Sequence, residues 1–264
     1  MHIDYQHIIK IKNITFFVCL IQTTMYFCNR KNIQYYCINI QDDKKKHLLE
    51  KMEQYNDNIK ILVADKEHYS YVDEILATIA AAAKVRGTGI AKRNPGYVKQ
   101  KMSEGKAVIA LDGDKFAGFS YIETWGGKHY VTTSGLIVPE EYRGHGLARR
   151  IKHVTFTLAR MRWPQAKIFS LTSGAAVMKL NTDHGYVPVT FAQLTDDETF
   201  WKGCEGCINQ DILKRTDRRY CVCTGMLYDP ERPRSVRDAD EELSHDPGVE
   251  DIIHARFPDG FPED

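Results

Sequence analysis

Two short stretches of this chain hold residue types whose spacing could do chemistry. In "EEYRGHGLARR" (140–150), Gly144 and Gly146 flank His145 and lead into a helical pattern, Gly146 to Met161. The first turn of a helix presents free N–H groups at the positive end of its dipole, and glycines without Cβ atoms let successive amides close around an anion. Each hydrogen bond to a charged oxygen contributes about 1.5–3 kcal/mol, so such a loop suits the pyrophosphate of a nucleotide-bearing cofactor. The bland alternative is a turn that only packs a helix on a sheet. The second stretch is C-x2-C-x13-C-x-C, made by Cys204, Cys207, Cys221 and Cys223. Four thiolates in two close pairs can supply a tetrahedral zinc site that folds a segment with little core. Because Cys221-x-Cys223 is tighter than the usual C-x2-C, reduced thiols and disulfides stay open as alternatives.

These residues need elements to position them. A chain of 264 residues can bury one sizeable core and a smaller appendage. Its formal net charge of +1 gives no global reason to bind nucleic acid or a membrane surface. Composition breaks near residue 58: the segment 1–58 has no Gly, Ala or Pro, while the rest is rich in Gly and Ala. Its most apolar run, Ile14 to Ile21, falls well short of the roughly 20 residues of a spanning helix. Lys10 and Lys12 precede that run as in a signal peptide, but no small-residue cleavage site follows. The other reading of 1–58 is an N-terminal extension outside the natural protein, with Met52 as the start. At the other end, 231–264 is acidic, carries several prolines and lacks apolar periodicity until "DIIHARF", so it reads as a flexible tail.

Between these ends, strand and helix patterns alternate. "IKILVA" (59–64) is β-like, 69–85 repeats apolar residues at helical spacing, and 95–104 is a short helix with Pro95 in its first turn. Strands follow at 106–111, 116–125 and 129–138, then the helix from Gly146, the strand "KIFSLT", a helix over 175–184 and the strand "YVPVTF". The order β-α-α-β-β-β-α-β-α-β predicts an α/β fold, a mixed sheet over one core and not a doubly wound parallel one.

The spacing Arg143-x-x-Gly146-x-Ala148 after "LIVPEEY", set between strand and helix with a helix–strand pair downstream, resembles the pyrophosphate motif of the GCN5-related N-acetyltransferases (GNAT). The resemblance covers about 59–192 and implies an acyltransferase core there, with a mostly antiparallel sheet flanked by helices. It further implies that amides around Arg143, Gly144, His145, Gly146, Leu147 and Ala148 hold the pyrophosphate of acyl-CoA. Backbone groups of Leu136, Ile137 and Val138 would pair with the pantetheine arm, where the strand splays from its neighbour. "Thr133-Ser134-Gly135" and "Thr172-Ser173-Gly174" are the small polar triplets on the two strands concerned. In such a site an amine attacks the thioester directly, which leaves the enzyme to align the partners and to move two protons. Glu123, late in the central strand, is the candidate base. Many members carry a Tyr acid where this chain has Asn181, so either Tyr186, His184 or Tyr130 serves as the acid or the thiolate leaves without dedicated help; Gly174 replaces a common cofactor-contacting Asn.

Longer strings, "KVRGTGIAKR", "GKAVIALDGDKFAGFSYIETW", "FWKGC" and "CTGMLYDP", are similar to single-domain bacterial N-acylglutamate synthases of arginine biosynthesis. This second resemblance reaches about residue 230 and takes in 193–230 as a Cys-containing C-terminal segment. It implies L-glutamate as acceptor, acetyl-CoA or succinyl-CoA as donor, and a cytoplasmic enzyme, with a homodimer as its candidate assembly. The loop between the first two helices commonly lines the acceptor site in the family; here it offers Arg86, Lys92 and Arg93, and Ser134 is a further candidate for that site. A cationic loop favours an anionic acceptor. The rival readings are an acetyltransferase for another small amine or a peptide N-terminus, and a silent CoA-binding or metal-organised module.

Overall fold

The computed structural model of the protein describes residues 5–11, 14–21, 24–29, 35–39, 59–86, 93–232 and 247–262. The chain divides into two units, Met1–Asn58 and Ile59–Asp264. In the first unit β1 (Tyr5–Ile11), β2 (Ile14–Ile21), β3 (Thr24–Asn29) and β4 (Tyr35–Asn39) form an antiparallel sheet in sequence order. The apolar run that is too short to span a membrane is β2, rich in the β-branched and aromatic residues that favour strands. Met52 lies outside the described residues.

The second unit is built on one seven-stranded sheet in the order β10-β11-β9-β8-β7-β6-β5. Its strands are β5 (Ile59–Val63), β6 (Ala107–Asp112), β7 (Lys115–Trp125), β8 (Tyr130–Ile137), β9 (Lys167–Thr172), β10 (Val187–Val189) and β11 (Thr224–Tyr228). Every pairing is antiparallel except β8 with β9. The helices are α1 (Val72–Arg86), α2 (Pro95–Ser103), α3 (Leu147–Arg162), α4 (Ala175–Asp183), α5 (Glu198–Lys202), α6 (Gln210–Arg215) and α7 (Pro247–Arg256). Among the described residues no helix is long and apolar enough to cross a membrane.

Strand periodicity divides the core between the two faces. In β6, Val108 and Ala110 pack with Leu147, Ile151, Val154 and Leu158 of α3. Their neighbours Ala107, Ile109 and Leu111 pack with Val72, Ile75 and Ile79 of α1 and Val98 and Met102 of α2. With both faces covered, β6 is buried at five successive positions, 107–111. The helix stripe at 147, 151, 154 and 158 is the i, i+4, i+7, i+11 pattern that lays one face of α3 on the sheet.

Two regions differ from the sequence reading. First, 231–264 is not all flexible tail: Val249, Ile253 and Phe257 recur four residues apart, form one face of α7 and its C-terminal end, and are buried against the α3 side. Second, the Cys-containing segment has a core of its own. Phe191, Leu194, Trp201 and Leu213 bury themselves against Phe169 and Leu227, and β11 enters the sheet between β9 and β10.

Candidate active site

The two central strands part halfway along their length. β8 pairs with β9 only at Tyr130↔Lys167, Val131↔Ile168 and Thr132↔Phe169, although β8 continues to Ile137 and β9 to Thr172. Along its other edge β8 stays with β7, but the register slips: Phe119 faces Ile137 while Tyr121 faces Ser134, so β8 holds one extra residue. Gly135 sits in this bulge at φ +66°, and a Cβ there would lie 2.6 Å from the Tyr121 ring, so the bulge needs glycine. The parted half borders a cavity of about 500 Å³, lined by Thr133, Ser134 and Leu136 on one side and by Ser170, Thr172 and Ser173 on the other. A strand edge without a neighbour offers its backbone to an extended ligand.

β8 leads through a 3-10 turn, Glu140–Tyr142, into the glycine loop and α3. Gly144 (φ +85°) and Gly146 (φ +80°) take left-handed conformations, and a Cβ on either would meet nothing within 4 Å. They are glycines for conformation, and open space lies above them. The α3 ladder begins with Arg149 and Arg150 donating to the Gly146 carbonyl, which leaves the first-turn N–H groups of Leu147 and Ala148 without an intrahelical acceptor. Arg143 differs from expectation. Its amide already donates to the Glu140 carbonyl at 3.1 Å and its Nε to the Val138 carbonyl at 2.9 Å, so it closes the turn and offers no amide to an anion. A sheet with a single parallel pair, parted at its end and followed by a glycine loop and helix, is decisive for topology. This is the mixed, mostly antiparallel α/β sheet flanked by helices that the sequence resemblance implied.

No protein-family model and no curated protein matches the chain. Among solved structures, N-acetylglutamate synthase from Neisseria gonorrhoeae, complexed with coenzyme A and N-acetyl-glutamate, is 16% identical with a TM-score of 0.49, over 66% of this chain and 35% of that one. The chain thus spans about a third of that enzyme's length. A Mycobacterium tuberculosis protein in complex with CoA is 17% identical, TM-score 0.47, over 64% of this chain and 98% of that one. The yncA protein from Salmonella typhimurium, with acetyl-CoA, is 15% identical, TM-score 0.44, over 68% and 99% respectively.

On the face covered by α1 and α2, the cavity of this sheet reaches Glu123, Tyr97 and Arg93. Lys101 of α2 ion-pairs with Glu123, Lys106 stands 4.0 Å from its other oxygen, and the Tyr97 hydroxyl donates to it at 3.1 Å. Burial, then the neighbouring Tyr121 and Glu123, hold the Tyr97 pKa far above the ordinary phenol value, so it stays a hydrogen-bond donor. Arg93 donates Nε to the Tyr121 hydroxyl at 2.6 Å and lies over that ring, 5.3 Å from its centroid. Ser134 lines the same space and its carbonyl accepts from the Ser120 hydroxyl at 3.1 Å. Lys92 and the side chain of Arg86 lie outside the described residues.

The acid candidates sit elsewhere. His184 is buried among Phe156 and His153, its Nδ1 2.7 Å from the Leu180 carbonyl, and burial lowers its pKa to about 4. It is therefore neutral near pH 7, away from the cavity lining, and has no proton to give. Tyr186 is fully buried, which raises its pKa, and it too is absent from the lining. Tyr130 packs edge-on against Phe169. Asn181 is buried with its Nδ2 3.6 Å from the Met226 sulfur. A residue the sequence reading did not single out, Lys152, lies between Thr133 and Tyr186 beneath β8.

Cys204, Cys207 and Cys223 form part of the far wall of the cavity. Burial, then the neighbouring cysteines, pushes the Cys204 thiol up to about 11 and the Cys223 thiol up to about 12, which keeps both protonated near neutral pH. The four thiols are free, and among the described residues no group of three or more His, Cys, Asp or Glu is placed to hold a metal. The zinc expectation finds no support among the described residues, and the Trp201 cluster and β11 supply a core for this segment.

Proposed function

We propose that this chain is an acyl-CoA-dependent N-acyltransferase with L-glutamate as acceptor, the first step of arginine biosynthesis, acting in the cytoplasm. The observation that carries the reading is the parting of β8 from β9 beside the glycine loop. The left-handed Gly144 and Gly146 and the free first-turn amides of Leu147 and Ala148 fit a pyrophosphate in open space. The unpaired edge of β8 from Ser134 to Ile137 fits the extended pantetheine arm, which would bring the thioester to the bulge at Gly135. There a backbone amide can bond the developing oxyanion, an interaction that removes about 3–4 kcal/mol of barrier.

The acceptor would enter beside Arg93 and Glu123, which share one wall. Arg93 is held against Tyr121 through its Nε, and its planar fork suits a carboxylate. Glu123 takes the ammonium proton, directly or through a water, and Lys101 and Tyr97 fix the carboxylate for that task. Acetyl and succinyl are the two donors to compare.

The test is thiol release from acetyl-CoA and succinyl-CoA with L-glutamate, glutamine, neutral amines and a peptide N-terminus. Glutamate should react best, and Arg93→Ala should lower kcat/KM for glutamate by roughly 30-fold to several-thousand-fold while CoA binding holds. Equal rates with glutamine and neutral amines, or wild-type kinetics in Arg93→Ala, would replace the glutamate assignment with a broader amine acyltransferase.

A further inference from the structure

On the α3 face of the sheet, beneath the point where the strands part, lies a cluster that the proposed reaction leaves unused. Lys152 is 2% exposed, and its Nζ is 2.6 Å from the Thr133 hydroxyl and 3.3 Å from the Tyr186 hydroxyl. The ammonium also lies over the Tyr186 ring, 4.5 Å from the centroid. Among the described residues no carboxylate pairs with it. A buried cation whose company is two hydroxyls and a ring face is costly to keep. The titratable groups around it are Tyr186 just before β10, His184 just after α4 and His153 beside it on α3; Tyr186 and His184 are neutral near pH 7, so none supplies a counter-charge.

Thr133 makes this cluster more than a core oddity. It is the first residue of β8 beyond the last pair with β9, and it lines the cavity while its hydroxyl accepts from Lys152. A single residue, Thr133, therefore joins the buried ammonium to the gap.

We propose that Lys152 is the proton source for the departing thiolate, acting through the Thr133 hydroxyl. The assignment rests on the acyltransferase reading, which seats the thioester sulfur in that gap. The amine nitrogen bonds to the acyl carbon, and the C–S bond then breaks with its electron pair left on sulfur. Sulfur takes the Thr133 hydroxyl proton as Thr133 Oγ1 takes one from Lys152 Nζ, which leaves a neutral amine. The proton shed by the new amide nitrogen returns through solvent and restores the ammonium. Burial lowers the Lys152 pKa to about 7, which suits a group that must give up and regain a proton near neutrality.

The experiment combines steady-state kinetics across pH with calorimetric titration of CoA. Wild type must first turn over; release of no thiol with any acceptor removes the acyltransferase reading and this assignment with it. With turnover present, Lys152→Met and Thr133→Val should each lower kcat about 100-fold or more, Thr133→Ser should recover most of it, and CoA affinity should stay within a factor of a few. The wild-type kcat profile should fall on its alkaline side as the Lys152 proton is lost, and Lys152→Met should lack that limb. Unchanged kcat in either variant, or a reduced kcat in Lys152→Met that keeps the alkaline limb, overturns the proposal. Should Lys152→Met fail to fold, the Thr133→Val and Thr133→Ser pair decides by the same kcat readout.

Discussion

Lys101 and Lys152 are almost equally hidden, 3% and 2% exposed, yet they occupy opposite faces of the sheet in opposite company. Lys101 is held by Glu123 and, at 3.2 Å, by Glu104, so its charge is answered on the spot. Among the described residues Lys152 meets two hydroxyls and an aromatic ring. Equal burial thus has two meanings. A paired cation braces α2 against β7 and fixes the Glu123 carboxylate, whereas an unpaired one is poised to change its protonation state.

Breaking the paired side should have the larger effect. Lys101→Met leaves the Glu123 carboxylate, 13% exposed, with the Tyr97 hydroxyl, the Thr124 amide and a distant Lys106 as its partners among the described residues. Loss of one partner of a buried pair typically costs about 3–5 kcal/mol, so urea unfolding near pH 7 should show a fall in the midpoint at unchanged slope. A midpoint equal to wild type would mean that the Lys101–Glu123 pair does not brace this face.

The matching substitution on the other face should have a smaller effect of opposite sign. The unfolded chain keeps the Lys152 proton up to its ordinary value of 10.5, while the folded chain releases it near 7. Between these values the unfolded state binds more protons, so wild-type stability rises with pH across that window. Lys152→Met removes the cost of burying the charge. A pH unit between the folded and unfolded values corresponds to about 1.4 kcal/mol, and the lost hydrogen bonds offset part of the sum, so the variant should gain about 2 kcal/mol at pH 6. The gain should shrink toward pH 10. Thermal melts of both proteins from pH 6 to pH 10 check this, and a pH-independent difference would contradict it.

The outline of the sheet was readable because its central strands alternate or run apolar and its turns carry glycine: β6, β7 and β8 begin and end within a residue or two of their sequence assignments. The glycine loop was readable for the same reason, since only Gly144 and Gly146 tolerate the left-handed backbone there. What escaped depends on partners distant in sequence. Lys152 follows Arg149 and Arg150 and looks like one more surface charge; its position one residue beyond Ile151, with Thr155 and Ala159 on the same side of α3, was the available signal. Likewise α7 is a three-residue apolar stripe in an acidic stretch, and becomes a helix only because α3 offers a surface to bury it. Nothing in the local sequence around Arg143 tells that its amide is consumed by the preceding turn.

The central claim is that the glycine loop and the parted strands hold an acyl-CoA, and calorimetric titration of CoA into wild type and Gly146→Val tests it most directly. A Val Cβ would project into the open space above the loop, and a β-branched residue resists φ +80°. The account predicts one CoA per chain for wild type, with affinity at least about tenfold weaker in Gly146→Val, a loss of about 1.4 kcal/mol. No heat of binding with wild type, or the same affinity in both proteins, would contradict it.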